Sequence, residues 1–211
     1  GLDWARLVPS AEAVALGVEP VAMARYRQII DMVNEAGMQP MLTLFHHSAP
    51  AWLAGQGGWT DPSAAIPAFY AFAEGVIDAL IPCGASGAAK NVGPSAKLHS
   101  IVPFNEPHVF NLLTYCGGVW PSTAENTNRP PSPPTCLSEW GLYGVAMKTM
   151  AEAHGAVYDK IRATEAKCGM AKGAIPVGVA HHVPIYSAYS FLDEPARKIL
   201  EWHTTFWFHD L

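Results

Sequence analysis

Three observations predict an α/β fold of the (β/α)8, or TIM barrel, class. Apolar runs and helix-like periodicities alternate four times along 211 residues. The runs are continuous rather than alternating, as in parallel strands buried on both faces. Each run carries or closes on polar residues, and such a barrel gathers polar side chains at the C-terminal ends of its strands. A doubly wound sheet is the competing architecture. It usually announces itself by a glycine-rich phosphate turn after the first strand, and none is present. Four units make half a barrel, since a whole one needs about 250 residues. The chain therefore reads as one partial domain over residues 1–211, about strands two to five with their helices.

The first unit opens with "GLDWARLV", a short segment of β character that holds Arg6. Tyr26, Ile29, Ile30 and Val33 then recur at helical spacing over residues 20–36, and Gly37 is a natural stop. "MQPMLTLFHH" is the second strand, closed by His46 and His47. Asp61-Pro62 is an N-cap and first-turn signature. It starts a helix with Ile66, Phe69, Tyr70, Ala73, Val76, Ile77 and Leu80 on one side. "HSIVPFNE" is the third strand, ending at Asn105-Glu106. A third helix is expected from about Ser138 to Ala166. "AIPVGVAHH" is the fourth strand, closed by His181 and His182, and a fourth helix capped at Asp193 follows. Two stretches break the rhythm. Residues 83–97 are small and glycine-rich and read as a flexible insertion away from the strand ends. Residues 117–137 hold five prolines and follow the third strand, which predicts a loop over the strand ends.

The composition is globular: 50% hydrophobic, 15% charged, with seven Trp, seven Tyr and eight Phe. A net charge of −5 without a basic stripe argues against nucleic acid. The longest apolar runs are short, so no segment is expected to span a membrane. Cys83, Cys116, Cys136 and Cys168 lack the spacing of a zinc ribbon or a redox pair. They read as free thiols of a reducing compartment, with disulfides as the alternative. The chain opens without methionine or a targeting segment and reads as cut into rather than begun.

Glu106 is the leading candidate for chemistry. A carboxylate at the mouth of a buried segment is costly unless paired, hydrogen-bonded or put to use. Burial disfavours the charged form, and a carboxyl held near neutral can give a proton to a leaving group and later take one back. Asn105 could hydrogen-bond a substrate hydroxyl, and Pro107 ends the ladder. The bland alternative for Glu106 is a structural carboxylate paired with Arg6 or a histidine. Strand neighbours point to opposite faces, so at most one histidine of each pair faces the interior while strand geometry lasts. No HxH or HExxH spacing supports a metal site. Trp4, Trp52, Trp59 and Trp120 recur beside strand ends, where a flat ring serves equally as core or as a platform for a sugar. His99, His108, His203 and His209 have no constellation around them in the sequence.

Taken in order, "LDWARLVP", "MLTLFHHSAPAWL", "GGWTDP", "FNEP" and "FWFHDL" resemble glycoside hydrolase family 1 over nearly the whole chain. "FNEPHVFNLLTYCGGVWP" and "VGVAHHV" are most similar to its galactolipid:galactolipid galactosyltransferase branch, set in the chloroplast outer envelope. Most family hydrolases carry His-Trp where this chain has His46-His47. The resemblance implies Glu106 as the general acid/base, Asn105 as holder of the sugar 2-hydroxyl, and His46 as a sugar contact. It implies Arg6 beside the nucleophile and Trp120 on the acceptor side. The family's nucleophile is a glutamate in a T-E-N-G motif, which this sequence does not contain. Retaining chemistry needs two carboxylates about 5–5.5 Å apart, so these residues alone are expected to be inactive. The expected substrate is a galactolipid or another β-glycoside. An ordinary β-glycosidase and an inactive remnant are the alternatives. No cofactor is implied. An Mg2+ dependence in this branch would act through lipid headgroups rather than a protein site, and a membrane surface would be reached through parts not in this chain.

Overall fold

The computed structural model describes residues 1–81, 83, 98–118, 120 and 141–211. Two parallel strands, β1 (Met41–Phe45) and β2 (Ser100–Phe104), form the sheet, with Met41 opposite Ser100 and Phe45 opposite Phe104. An extended segment flanks β2 on its other side through single bridges, Ile101 to Val177 and Asn105 to Ala180. The order across the sheet therefore follows the order along the chain. That is the singly wound arrangement of a barrel wall, and the chain is a partial (β/α)8 barrel.

Two long helices start where a carboxylate provides for their first amides. Glu19 caps α2 (Pro20–Glu35) by accepting from the Val21 and Ala22 amides, and proline opens the first turn. Asp61 does the same for α4 (Pro62–Leu80) through Ser63 and Ala64. By length and composition alone α4 could cross a membrane. It is a core helix here. Its buried face from Ala65 to Leu80 packs with α6 (Leu142–Lys167), and Lys160 of α6 ties Glu74 and Asp78 at 2.9 and 3.0 Å.

Two expected strands differ. "GLDWARLV" gives one strand-like bond, Leu2 N–H to Thr43 C=O at 2.9 Å, and then turns into α1 (Trp4–Leu7). Asp3 accepts from the Arg6 amide and starts that turn, so Arg6 lies on a helix. The fourth strand is reduced to bridges because Pro103, in the middle of β2, has no N–H to give it. The last helix is also broken up. Phe191–Asp193 forms a 3-10 turn, α7 (Glu194–Glu201) follows, Trp202–Phe206 is a wider π turn, and α8 (Trp207–Asp210) ends the chain described. Asp193 closes a capping box with Ser190 rather than capping α7.

Cys83 and Cys168 form a disulfide with their Cα atoms 5.0 Å apart, which corrects the free-thiol expectation. Spacing along the sequence could not show that α4 and α6 end side by side. Cys116 is buried. Cys136, the insertion beyond Cys83, and the proline-rich loop apart from Gly117, Gly118 and Trp120 lie outside the described residues.

Candidate active site

The strand ends carry the site. Among the described residues, two that are not glycine adopt left-handed backbone, His47 (φ 66°) just past β1 and Glu106 (φ 45°) just past β2. Such conformations cost free energy and cluster where the surroundings over-determine them. Here the surroundings are hydrogen bonds to both neighbours. The Asn105 amide donates to Phe45 C=O at 3.0 Å, and the Glu106 amide donates to Ala180 C=O at 2.7 Å. His47 Nε2–H donates to the Asn105 carbonyl at 2.9 Å. Burial lowers the His47 pKa, partly offset by that carbonyl, so the ring is neutral near pH 7.

Glu106 stands at the N-terminus of α5 (Pro107–Asn111), but its side chain makes no capping bond. The carboxylate is less buried than the sequence suggests, with 33% of its side-chain surface exposed. The imidazole of His182 comes within ion-pair distance of it, with Nδ1 3.9 Å from Glu106 Oε1. Arg6 is exposed and pairs with no carboxylate among them. His46 is exposed past the end of β1, against Gly1 and 5.4 Å, ring to ring, from His47. Because β1 ends at Phe45 and His47 is left-handed, the opposite-face rule for paired histidines stops before it applies.

Of the four tryptophans, Trp4 and Trp59 are fully buried core residues. Trp52, on the short helix α3 (Ala51–Ala54), is half-buried and donates its indole N–H to Val8 C=O at 2.9 Å. Only Trp120 stands over the site, its ring 4.8 Å from that of His47. Beside it lies a cavity of about 330 Å3, walled by His47, Ser48, Trp59, Phe110, Tyr115 and Trp120. Tyr115 belongs to a π turn, Leu112–Cys116, that follows α5 directly, and its hydroxyl accepts the Trp59 amide at 2.9 Å.

Sequence reasoning missed His108. It is 3% exposed, and its ring centroid lies 4.3 Å from that of His181 and 5.9 Å from that of His182. Burial, with the neighbouring histidines, holds its pKa down to about 3. No short-range signal could have found this cluster, because His108 and the His181-His182 pair meet only through the β2 bridges. No three His, Cys, Asp or Glu side chains among the described residues converge as a ligand set for a metal.

The family model for Glycosyl hydrolase family 1 matches residues 1–211. The chain is 38% identical over 208 residues to "Beta-glucosidase-like SFR2, chloroplastic" of Oryza sativa subsp. japonica, covering 98% of this chain and 29% of that protein. It is 34% identical over 203 residues to "Galactolipid galactosyltransferase SFR2, chloroplastic" of Arabidopsis thaliana, covering 94% of this chain and again 29% of the relative. Among solved structures, a beta-glycosidase from Pyrococcus horikoshii superposes with a TM-score of 0.73 at 22% identity. That match covers 99% of this chain and 40% of the archaeal one. The family 1 b-glucosidase from Thermotoga maritima, in complex with isofagomine lactam, gives 0.70 at 18% identity, with 96% and 38% covered. These structural likenesses establish the fold. The chain spans less than a third of the curated relatives it matches.

Proposed function

Because the chain belongs to glycosyl hydrolase family 1, we propose that the complete protein performs retaining glycosyl transfer on β-galactosides, moving galactose from one galactolipid to another. The observation that carries this is Glu106, fixed at the end of β2 by amide bonds on both sides and left with a partly exposed, uncapped carboxylate. The 34% identity to a galactolipid galactosyltransferase supports the choice of substrate.

In the first step Glu106 gives its proton to the departing glycerol oxygen while a glutamate outside this chain takes up the sugar. In the second, Glu106 as carboxylate receives the proton of the incoming hydroxyl, whose oxygen bonds to the sugar's anomeric carbon as the bond to that glutamate breaks. Asn105 holds the sugar 2-hydroxyl, His46 contacts the sugar, Arg6 stands beside the nucleophile and Trp120 faces the acceptor. The reading uses no cofactor, since Glu106 itself moves the proton. Both relatives are chloroplastic by name, and we place this protein in the chloroplast, at the outer envelope. Hydrolysis is the second reading, favoured by the beta-glucosidase-like name of the 38% relative. Glu106 serves water and a sugar hydroxyl alike, so the products decide.

The test is to give the complete protein a monogalactosyl lipid and analyse the products. Oligogalactolipids are expected, and free galactose as the sole product overturns the transfer reading. Glu106→Gln should lower turnover by about 10²–10⁴-fold; an unchanged rate removes Glu106 from the mechanism.

A further inference from the structure

Four histidines stand on the elements that meet at Glu106. His47 lies just past β1, His108 lies two residues on in α5, and His181 and His182 follow Ala180 of the extended segment beside β2. Burial lowers the pKa of His47, His108 and His181, that of His108 to about 3. His182 differs in placement. Its side chain is 57% exposed, and its Nδ1 is turned to the carboxylate, 3.9 Å from Glu106 Oε1. The backbone fixes this approach. The Glu106 amide donates to Ala180 C=O at 2.7 Å, and the Ala180 amide donates to Phe104 C=O at 3.2 Å. His182 thus follows, by two residues, the carbonyl that holds Glu106 in place. Its ring lies at 28° to that of buried His108, with centroids 5.9 Å apart. A separation of 3.9 Å is too long for a hydrogen bond. A small turn of an exposed ring closes such a gap, and catalytic hydrogen bonds in a free protein are often long and tighten with substrate.

We propose that His182 is a positioning residue for the acid/base, its Nδ1–H donating to the Glu106 carboxyl group through both steps of the reaction. The proposal rests on the reading of Glu106 as acid/base and adds a residue to it. As the bond to the leaving oxygen breaks, the proton passes from Glu106 to that oxygen, and negative charge grows on the carboxylate. A donor already in place holds the group more tightly as that charge grows, since hydrogen bonds to ions are about twice as strong as neutral ones. An interaction that strengthens towards the transition state raises kcat. No proton moves at His182, so the same bond serves the return step. His47 is not placed for this task. It spends its Nε2–H on the Asn105 carbonyl at 2.9 Å, and the neutral ring then has no proton on Nδ1 to give.

The test varies the leaving group, because only a poor one needs the proton. The complete protein and its His182→Phe, His182→Asn and Glu106→Gln variants are each given a hexyl and a 2,4-dinitrophenyl β-D-glycoside. The sugar is galactose or glucose, whichever the parent turns over faster, and kcat/KM is measured. Phenylalanine keeps a ring beside His108 without a donor; asparagine returns an N–H close to the place of Nδ1. His182→Phe should lower kcat/KM for the hexyl glycoside by about 10- to 100-fold, the loss of one hydrogen bond to a charged group. For the dinitrophenyl glycoside the loss should be at most about threefold, since dinitrophenolate leaves without a proton. His182→Asn should recover most of the hexyl rate. Unchanged rates, equal losses with both leaving groups, or no recovery with asparagine overturn the proposal. Glu106→Gln separates it from the reading beneath. If that variant slows both substrates alike, Glu106 is not the acid and the glycosyl-transfer reading falls. If it slows the hexyl glycoside selectively and His182→Phe does not, only the His182 pairing falls. A complete protein inert towards both sugars removes the acid/base role, and this proposal with it.

Discussion

Glu106, the proposed acid/base, sits on an unfavourable backbone. A side chain at φ 45° sits in a region that costs an ordinary L-residue roughly 1–2 kcal/mol, and glycine occupies it without that cost. Glu106→Gly should therefore abolish turnover while leaving the free energy of unfolding unchanged or raised by up to about 1 kcal/mol. Urea denaturation of the two proteins measures this, and a loss above about 1 kcal/mol would show that the carboxylate itself stabilises the fold. His108 bears on stability through its burial. Its folded pKa of about 3 lies below the ordinary 6.5. Between these values the unfolded chain binds a proton that the folded chain refuses. Stability from this group is whole above about pH 6.5 and drains away as pH falls towards 3. His47, His154, His181 and His203 are lowered by burial as well and act in the same sense. His108→Leu should soften the acid loss, seen as a shallower fall of the urea midpoint between pH 7 and 4. A fall as steep as in the parent would remove His108 from the account.

At the scale of elements, one carboxylate holds the connection from α6 to the last extended segment. Glu165 is 1% exposed, and it accepts from the amides of Gly173 and Ile175 at 3.0 and 2.7 Å and from Arg162 at 2.7 Å. Burial alone would raise its pKa; the two amides and the guanidinium outweigh that and lower it. Glu165→Ala strands two amides and a largely buried guanidinium, and should cost about 3–5 kcal/mol by chemical denaturation. Glu165→Gln keeps an acceptor and should cost less; equal losses would mean that charge rather than acceptor geometry is what matters. Elements bounded by their own residues were legible in the sequence. Asp61-Pro62 marked the start of α4, and Gly37 marked the end of α2. Elements defined by a partner were not. Whether residues 1–8 or 175–182 form strands depends on which amides lie across from them, and Pro103 settles one case from a position 74 residues before Val177. The site divides in the same way. Asn105-Glu106 stood out as polar residues closing an apolar run. The cavity and the His108 cluster draw residues from segments about 60 to 75 positions apart, and no local pattern could announce them.

At the scale of the whole molecule, the sheet is held in two ways. An aromatic core joins Trp4, Phe45, Trp59, Phe69, Phe72 and Phe104 beneath the strand ends, with neighbouring ring centroids 4.7–6.0 Å apart. At the helix ends the Cys83–Cys168 bond closes a loop across a separation of 85 residues. In the chain-entropy description a loop of that size is worth on the order of 4 kcal/mol. Cys168→Ser should lower unfolding stability by an amount of that order under non-reducing conditions and by nothing further when reductant is added. The parent protein should lose the same amount on reduction. A parent indifferent to reductant would show that the bond adds no stability. The bond has a second consequence, for covalent topology. Any single cut of the backbone between residues 84 and 167 leaves two pieces still tied through sulfur. A nicked chain would migrate as one band without reductant and as two with it, so β1 and β2, on opposite sides of such a cut before residue 98, would stay within one molecule.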